Sequence, residues 1–266
     1  MDDRALILGC RGSAPVSGRA FSVRGGATFC VLVRLSGQYI IVDAGTGILG
    51  LPRDALEQPS LPLLLTHPHA DHIIGLAMCP YLFREGARMD IYGRPREGLS
   101  VSEQLYRVFS PPIWPVSPEE ISARVTYNTI DSDLVFGPVN VEVAEGVHTG
   151  GVSLFRISGG GKSVVVATDC TISDENEGSL ADFARGCDLL LCDGQYSAEE
   201  WDSRSGYGHS TWEAAARLGK LAGAAKVRIV HHDPSRTDDM IASIEKELSA
   251  RYPQCSFACC GEEVDI

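Results

Sequence analysis

The sequence contains no apolar run that approaches the roughly 20 residues needed to cross a bilayer. Its first residues, MDDRALILG, place acids before a short apolar run, and this order is not that of a secretory signal. The nine cysteines form no CxxC pair, and their odd number argues against a secreted disulfide scaffold. These absences predict a reduced, cytoplasmic protein with no membrane partner.

Basic residues are also scarce. The chain has 35 acids against 23 bases, a formal net charge of -12, and no basic run. A protein that binds nucleic acid regardless of sequence needs Lys and Arg to replace the phosphate counterions. We therefore expect no large nucleic acid as a partner. Small anions remain suitable ligands, because a bound metal would supply its own positive charge.

No tract rich in Ser, Pro or Gly divides the chain, so we expect a single domain over residues 1–266. Its composition is 44% hydrophobic, which is enough apolar material for a sizeable core. Strands precede helices in each half, and this order favours layered α/β packing. The clearest predicted helices cover 210–222, opened by a capping box at Ser210, and 237–249. The predicted strands cover 5–9, 28–35, 38–43, 61–66, 139–144, 152–157, 163–168, 188–192 and 226–231.

The most informative stretch is LPLLLTHPHADHIIG, at 61–75. A buried strand ends there, and three histidines and an aspartate follow within six residues: His67, His69, Asp71 and His72. Imidazole nitrogens and carboxylate oxygens suit zinc and similar divalent ions. His67 and His69 share one side of an extended loop, whereas the other two begin the next turn, so two metals are indicated. The alternative is a polar loop that is merely rich in histidine.

Other candidate ligands also follow apolar strands, namely His148, Asp169 and the neighbours His231 and His232. A single His or Asp at a strand end is more often a hydrogen-bonding cap. The recurrence of the pattern favours a shared site instead. The set then divides into three histidines for one ion, and an aspartate with two histidines for the other, with a carboxylate bridging the two.

These motifs resemble those of the metallo-β-lactamase-fold hydrolases. The family's HxHxDH signature stands at 67–72 and is followed by Gly75, and VDAGTG at 42–47 resembles its acidic turn. In that turn Asp43 would hold a ligand histidine by a hydrogen bond. The resemblance implies an α/β fold, a four-layer αββα sandwich, with two divalent metal ions. Zinc is expected, and manganese or iron is the alternative.

The resemblance also implies which residue serves which ion. Pro stands two residues after the last ligand in the family, and Pro234 selects His232 over His231 on that basis. One metal would be held by three histidines, His67, His69 and His148. The second would be held by Asp71, His72 and His232, with Asp169 bridging.

Two divalent ions would clamp and activate a water, so hydrolysis follows. LLLCDGQY and GHSTWEAA resemble paired motifs of the tRNase Z-like phosphodiesterase branch, in which a carboxylate and a histidine lie beside the metals. Here these are Asp193 and His209. Asp193 would keep His209 protonated, so that it can donate to a leaving alkoxide or hold a phosphoryl oxygen. The alternative is that His209 only joins a helix to the sheet. Asp71 is a catalytic candidate as well as a ligand.

In the tRNase Z-like branch, the arm that grips tRNA is expected between the ligands that correspond to His148 and Asp169. That interval holds only two predicted strands and a Gly turn. We therefore predict a phosphodiesterase for a small phosphodiester such as a cyclic nucleotide. The alternatives are a hydrolase of a carboxylic ester, thioester or lactam, and a metal-dependent sensor or binding protein without catalysis.

Several residues near these motifs have open roles. Arg11 and Ser13 are candidates for a place near the metals, but Arg11 could equally pair an acid and fix its loop. Thr149 is a candidate substrate contact. Cys255, Cys259 and Cys260 could suggest a further metal site, but SFAC at 256–259 is interpreted as part of a last buried strand.

The Pro-rich segment 107–121, which contains Phe109 and Trp114, is interpreted as a flap over a pocket, with a rigid surface crossover as the alternative. The resemblance also motivates a homodimer, in which a neighbouring chain would complete the flap around Trp114.

Overall fold

The structure is a computed structural model that describes residues 2–116 and 120–266. Within these ranges fourteen β-strands form two seven-stranded sheets. The strands are β1 (Arg4–Gly9), β2 (Cys30–Leu35), β3 (Gln38–Val42), β4 (Ser60–Leu64), β5 (Arg88–Gly93), β6 (Arg124–Thr129), β7 (Leu134–Phe136), β8 (Val139–Gly146), β9 (Val152–Gly159), β10 (Lys162–Ala167), β11 (Leu189–Asp193), β12 (Lys226–Val230), β13 (Cys255–Phe257) and β14 (Glu262–Asp265).

The α-helices of the described ranges connect the strands and cover the outer faces of the sheets. They are α1 (Arg53–Leu56), α2 (Ala70–Ile73), α3 (Val101–Tyr106), α4 (Glu177–Phe183), α5 (Ala198–Arg204), α6 (Trp212–Ala222) and α7 (Asp238–Arg251). Single 3-10 turns occur at Arg19–Phe21, Thr46–Gly50, Leu76–Met78, Pro80–Phe83 and Ser205–Tyr207.

The N-cap of the helix predicted at 210–222 lies one position later than expected. Thr211 is the N-cap, because its side chain accepts a hydrogen bond from the backbone N–H of Ala214 at 3.1 Å. The predicted N-cap, Ser210, instead has its hydroxyl between the carbonyl of Cys170 and the N–H of Ile172. Ser210 therefore ties the loop after β10 to the start of α6.

The two sheets repeat one pattern. The first has the order β14-β1-β2-β3-β4-β5-β6, and the second has the order β13-β12-β11-β10-β9-β8-β7. In each sheet one side is antiparallel, and the other side is a run of four parallel strands, β3 to β6 and β10 to β13. Side chains that follow parallel neighbours meet at one edge of the sheet, where ligand sites form in such folds.

The sheets pack face to face over an apolar core. Val31 and Val33 of the first sheet and Phe155 and Val164 of the second belong to it, and all are at most 1% exposed. The outer face of the first sheet packs against α1 and α3, and that of the second packs against α4, α6 and α7. Burial on both faces explains why the strands read as near-continuous apolar runs. The predicted four-layer αββα sandwich is confirmed.

The segment 107–121 includes residues 117–119, which lie outside the described residues. Phe109 and Trp114 pack on the outer apolar core of the first sheet and line a cavity of about 50 Å³. None of the histidines discussed above lines this cavity. The described part of the segment therefore covers an apolar cavity in the outer layer and not the histidine cluster.

Across the described ranges, no helix combines the length and hydropathy that a membrane crossing requires.

Candidate metal centre

The candidate ligands come from both sheets. After β4 the chain continues extended through His67 and His69, and then α2 supplies Asp71 and His72. From the second sheet, His148 lies between β8 and β9, Asp169 follows β10 and His231 follows β12. These side chains converge in two adjoining groups, which are His67, His69 and His148, and Asp71, His72, Asp169 and His231.

The first group is a triangle of nitrogens. Nε2 of His67 lies 2.9 Å from Nδ1 of His69, which lies 3.1 Å from Nε2 of His148. The Nδ1–H of His148 donates to the carbonyl of Gly208, and that of His67 donates to Thr66, whose hydroxyl in turn donates to Asp43. Both Nε2 atoms therefore point lone pairs at the centre. A tetrahedral zinc with bonds of about 2.0–2.1 Å holds its ligand nitrogens only slightly farther apart than this.

The second group combines two carboxylates with two buried histidines. Nε2 of His231 lies 3.1 Å from Oδ2 of Asp71 and 3.1 Å from Oδ1 of Asp169. Nε2 of His72 lies 3.1 Å from Oδ2 of Asp169 and is a buried atom without a hydrogen-bond partner. Asp43 accepts from Nδ1 of His72 at 2.8 Å, as the resemblance implied. This donor set suits a divalent cation.

Asp169 lies between the two groups. One carboxylate oxygen is 3.7 Å from Nε2 of His67 and 3.8 Å from Nε2 of His148. The other is the oxygen that approaches His72. The carboxylate therefore faces both candidate ion positions, which is the geometry required of a bridging ligand.

The choice of His232 over its neighbour is corrected. His232 turns away from the cluster: Nε2 donates to the carbonyl of Ile229, and the ring packs against Phe257 at 5.3 Å. His231 has a left-handed backbone, with φ of 61°, and its ring reaches both carboxylates. The spacing to Pro234 cannot report this local turn, because it fixes a position in the sequence and not a side-chain direction.

The charges of the two groups differ in kind. Burial lowers the pKa of His67, His69 and His148, so these rings are neutral donors. Burial also acts to lower the pKa of His231, but the carboxylates of Asp169 and Asp71 raise it to about 10. In the second group the two carboxylates therefore stabilise positive charge. A proton on His231 supplies that charge when no metal is bound.

A carboxylate–histidine pair adjoins the second group. Nδ1–H of His209 donates to Oδ2 of Asp193 at 2.8 Å, and its ring stacks on that of His231 at 4.6 Å. Asp193 is fully buried and also accepts backbone N–H groups of Asp169, Gln195 and Ser210. Nε2 of His209 has no hydrogen-bond partner among the described residues. The pair predicted from sequence is therefore brought together beside the candidate ligands.

The N-terminal loop also touches the centre. The backbone N–H of Ser13 donates to Oδ2 of Asp71 at 2.7 Å. Gly12 packs against His231, because a Cβ there would lie 2.1 Å from Nδ1 of that ring.

Arg11 is buried within its own loop, whereas Thr149 is exposed beside a candidate ligand. Arg11 is fully buried and donates to the carbonyls of Gly25 and Arg236, and Asp238 lies 3.9 Å away. Arg11 therefore fixes its loop and pairs an acid, which was the alternative considered. Thr149 is exposed beside His148, and its contact with substrate stays a prediction.

Sequence reasoning missed two supporting residues. Gln195 accepts from Nδ1 of His231 at 3.0 Å, and its amide donates to the hydroxyl of Ser13. Gly208 supplies the carbonyl for His148 and has φ of 83°, and a Cβ there would lie 2.4 Å from Nδ1 of His148. Both residues stand inside the paired motifs that pointed to Asp193 and His209, so their position was the available signal.

Comparison with known proteins agrees with this geometry. The model of the beta-lactamase superfamily domain matches residues 38–232. The chain is 24% identical over 241 residues to the probable metallo-hydrolase YhfI of Bacillus subtilis, covering 86% of each. It is 23% identical over 299 residues to ribonuclease Z of Treponema pallidum, covering 95% of this chain and 94% of that protein.

Solved structures share the fold over the whole chain. The metallo-beta-lactamase fold protein YhfI superposes with a TM-score of 0.74 at 20% identity, covering 100% of both chains. A diphosphatase of the PhnP family gives a TM-score of 0.70 at 18% identity, covering 99% of this chain and 98% of the other. The chain therefore belongs to the beta-lactamase superfamily and has the metallo-β-lactamase fold, with candidate metal-binding residues at the meeting point of its two sheets.

Proposed function

We propose that this protein is a dinuclear metal-dependent phosphodiesterase that cleaves a small phosphodiester, such as a cyclic nucleotide. The observation that carries the proposal is the buried Asp193–His209 pair, which lies against two ligand groups joined by Asp169. The two ligand groups support a metal-dependent hydrolytic reaction in general. The Asp193–His209 pair is the feature that favours a phosphodiester as the substrate.

The two groups would hold two divalent ions, for which zinc is the first candidate because the first group is all nitrogen. Two such ions, when bound, bring the pKa of a water toward neutrality and stabilise charge on the attacking and leaving oxygens. Asp169 would bridge them. Asp43 and Gln195 would keep His72 and His231 in the tautomers that present Nε2.

His209 would act on the leaving oxygen. Asp193 accepts Nδ1–H, so Nε2 is the atom that faces the reaction, and the buried carboxylate fixes the orientation of the ring. When protonated, the ring can donate its Nε2 proton to the departing alkoxide, or hold a phosphoryl oxygen. A hydrolase of a carboxylic ester, thioester or lactam does not specifically require this pair. A sensor without catalysis does not require it at all.

A small substrate is favoured over tRNA by shape and charge. Between His148 and Asp169 the chain forms the antiparallel pair β9 and β10 with a tight turn at Gly160 and Gly161, which leaves no room for an arm. The net charge of -12 also disfavours a polyanion. The similarity to ribonuclease Z and to a diphosphatase of the PhnP family supports phosphate ester chemistry.

The experiment combines elemental analysis with substrate profiling. We expect close to two metals per chain, turnover of bis-p-nitrophenyl phosphate, and none of nitrocefin or of thioesters. His209→Ala should retain both metals and lose about 10²–10⁴-fold in kcat, the usual contribution of a general acid. Asp193→Asn should act in the same direction, because it removes the carboxylate that accepts Nδ1–H and orients the ring.

The outcomes separate the candidates. Two metals with turnover of nitrocefin or a thioester, and none of the phosphodiester, would replace the substrate class. Phosphodiester turnover that is unchanged in His209→Ala would overturn the role of the pair. A metal-loaded protein without turnover of any of the three would favour the binding protein. With turnover of the phosphodiester established, cyclic nucleotides are the next substrates to test.

A further inference from the structure

Two cysteines from opposite ends of the chain lie in contact. Sγ of Cys10, directly after β1, is 3.6 Å from Sγ of Cys260, in the turn before β14. Both residues are anchored by their backbones, since Cys10 N–H donates to Ala27 at 3.1 Å and Cys260 N–H donates to Arg24 at 2.8 Å. Neither thiol takes part in the metal centre described above.

The two thiols have different access to solvent. Cys10 is completely buried, whereas Cys260 is partly exposed. The hydrogen-bonding contact with the Cys10 sulfur lowers the pKa of Cys260 to about 6 despite its burial, and Arg11 contributes in the same direction. Cys260 is therefore the thiol that a dissolved reagent reaches first, and Cys10 is the thiol placed to react next.

Backbone hydrogen bonds and a short loop connect the buried cysteine, Cys10, to the metal centre. The carbonyl of Cys10 accepts the backbone N–H of His232, and Gly12 N–H donates to the carbonyl of His232. The next residues are those that touch the centre, Gly12 against His231 and Ser13 against Asp71. A displacement of Cys10 thus acts on residues two and three positions farther along the same short loop.

We propose that Cys10 and Cys260 form a peroxide-sensitive dithiol whose oxidation to a disulfide weakens the metal centre. The Cys260 thiolate attacks hydrogen peroxide, the O–O bond breaks, and a sulfenic acid and a hydroxide result; the hydroxide takes up from solvent the proton that the thiol had released, which gives one water. The Cys10 sulfur then attacks the sulfenic sulfur, its proton leaves with the hydroxyl as a second water, and the S–S bond forms. Two thiols are oxidised, and one peroxide is reduced to two waters.

Bond formation has a mechanical consequence. The sulfurs must approach by about 1.5 Å to reach the disulfide length. Cys10 lies between the Ala27 and His232 hydrogen bonds, so its movement strains the loop that carries Gly12 and Ser13. The contacts of that loop with His231 and Asp71 loosen as a result. A reductant reverses the change.

The test uses the metal-loaded protein treated with hydrogen peroxide. Thiols are counted after denaturation, and we expect the nine of the reduced protein to fall to seven. Trypsin should then release the peptides 5–11 and 252–266 joined by a bond that fragmentation assigns to Cys10 and Cys260. Metal release to a chelator should become several-fold faster in the oxidised protein and return to its initial rate with dithiothreitol.

Matched variants separate the pair from its neighbours. Cys260→Ser should keep eight thiols under the same treatment and release metal at the unoxidised rate. Cys259→Ser is the control, because this thiol is also partly exposed and adjacent, and it should still lose two thiols. Should Cys10→Ser fail to fold, Cys260→Ser and Cys259→Ser still decide the question.

Several results would overturn the proposal. These are a bond between Cys259 and Cys260, irreversible oxidation of Cys260 without a crosslink, or a crosslinked protein that releases metal at the initial rate. None of these readouts requires phosphodiesterase activity, so the proposal can fail while the proposed function stands, and the reverse.

Discussion

At the scale of single residues, the centre is built on unusual backbone. Asp43, Asp169 and His231 are all non-glycine residues with left-handed φ, at 59°, 51° and 61°. Such conformations cost about 1–3 kcal/mol each and persist where surrounding bonds fix them. The hydrogen bonds of Asp43 are an example, because its carboxylate accepts from the backbone N–H and hydroxyl of Thr66 and from Nδ1–H of His72. Aspartate and histidine tolerate this region better than most residues, which helps to explain the choice.

Gly12 should be irreplaceable for steric reasons. In Gly12→Ala the new Cβ would lie 2.1 Å from Nδ1 of His231, so the ring must move away from Asp71 and Asp169. We expect a folded protein that loses metal from the second group, as measured by elemental analysis. Gly178→Ala is the control, because a Cβ there meets nothing within 4 Å. Equal metal content in both variants would contradict the packing argument.

The neighbours His231 and His232 should respond differently to alanine. His231→Ala removes a donor that faces both carboxylates and should bind one metal fewer. His232→Ala removes a buried ring and the bond to Ile229, so it should lower the free energy of unfolding by about 1–3 kcal/mol and leave metal content unchanged. Elemental analysis and urea unfolding measure the two effects, and loss of metal only in His232→Ala would restore the original assignment.

These two histidines also mark the limit of residue-scale prediction. Their type and their place after an apolar strand are readable from sequence, and six of the seven predicted ligand positions are drawn together in the structure. Which of two adjacent rings turns inward depends on the left-handed φ of His231. The inward ring of His231 contacts Gly12 and Gln195, which are distant in sequence.

At the scale of elements, three parallel strands place the second sheet's share of the site. β10, β11 and β12 are neighbours, and Asp169, Asp193 and His231 stand at or just after their ends. The short loop after β10 is joined to α6 by Ser210, whose hydroxyl bonds Cys170 and Ile172. This side chain ties the residues that follow Asp169 to the residue that follows His209.

Ser210→Ala should therefore affect both stability and rate. It leaves a buried N–H and a buried carbonyl unpaired, for a cost of about 1–3 kcal/mol in unfolding free energy. It should also lower kcat for bis-p-nitrophenyl phosphate, because the loop that carries Asp169 loses its tie to the helix. Ser249→Ala, on the exposed face of α7, is the matched control and should change neither quantity. A stable, fully active Ser210→Ala would show that the tie is dispensable.

The strands that could be predicted from sequence are those buried on both faces of their sheet. The nine strands predicted from apolar runs all exist, with bounds shifted by at most two residues at either end. β5, β6, β7 and β14 were not predicted. In β5 and β6 the sequences RMDIYG and RVTYNT mix charged and polar residues with apolar ones and lack a clean period. In the structure Asp90 of β5 accepts from Thr126 of the neighbouring strand β6 and pairs with Arg88 of its own strand, and the contact between strands has no local sequence signal.

At the scale of the whole molecule, charge and metal content are linked. Because the carboxylates raise the pKa of His231 to about 10, its protonated form stabilises the metal-free fold below its ordinary pKa. That contribution is lost as the pH rises through about 10. In the metal-loaded protein the ion replaces the proton, so the same loss does not occur.

The pH dependence of unfolding checks this linkage. The metal-free protein should show a midpoint of thermal unfolding that falls between about pH 7 and pH 10, whereas the loaded protein should fall less. His231→Asn, also metal-free, should show a shallower decline, because the titrating ring is absent. A metal-free protein that becomes more stable over this range would contradict the assignment.

The origin of the ligands in both sheets has a consequence for partly folded chains. The first sheet brings His67, His69, Asp71 and His72, but the carboxylate that spans the two positions belongs to the second. Neither sheet alone holds the ligand set proposed for two ions. A nascent or damaged chain with only one sheet formed is therefore expected to lack the proposed hydrolytic activity. Such activity would then report that both sheets have formed and packed together correctly.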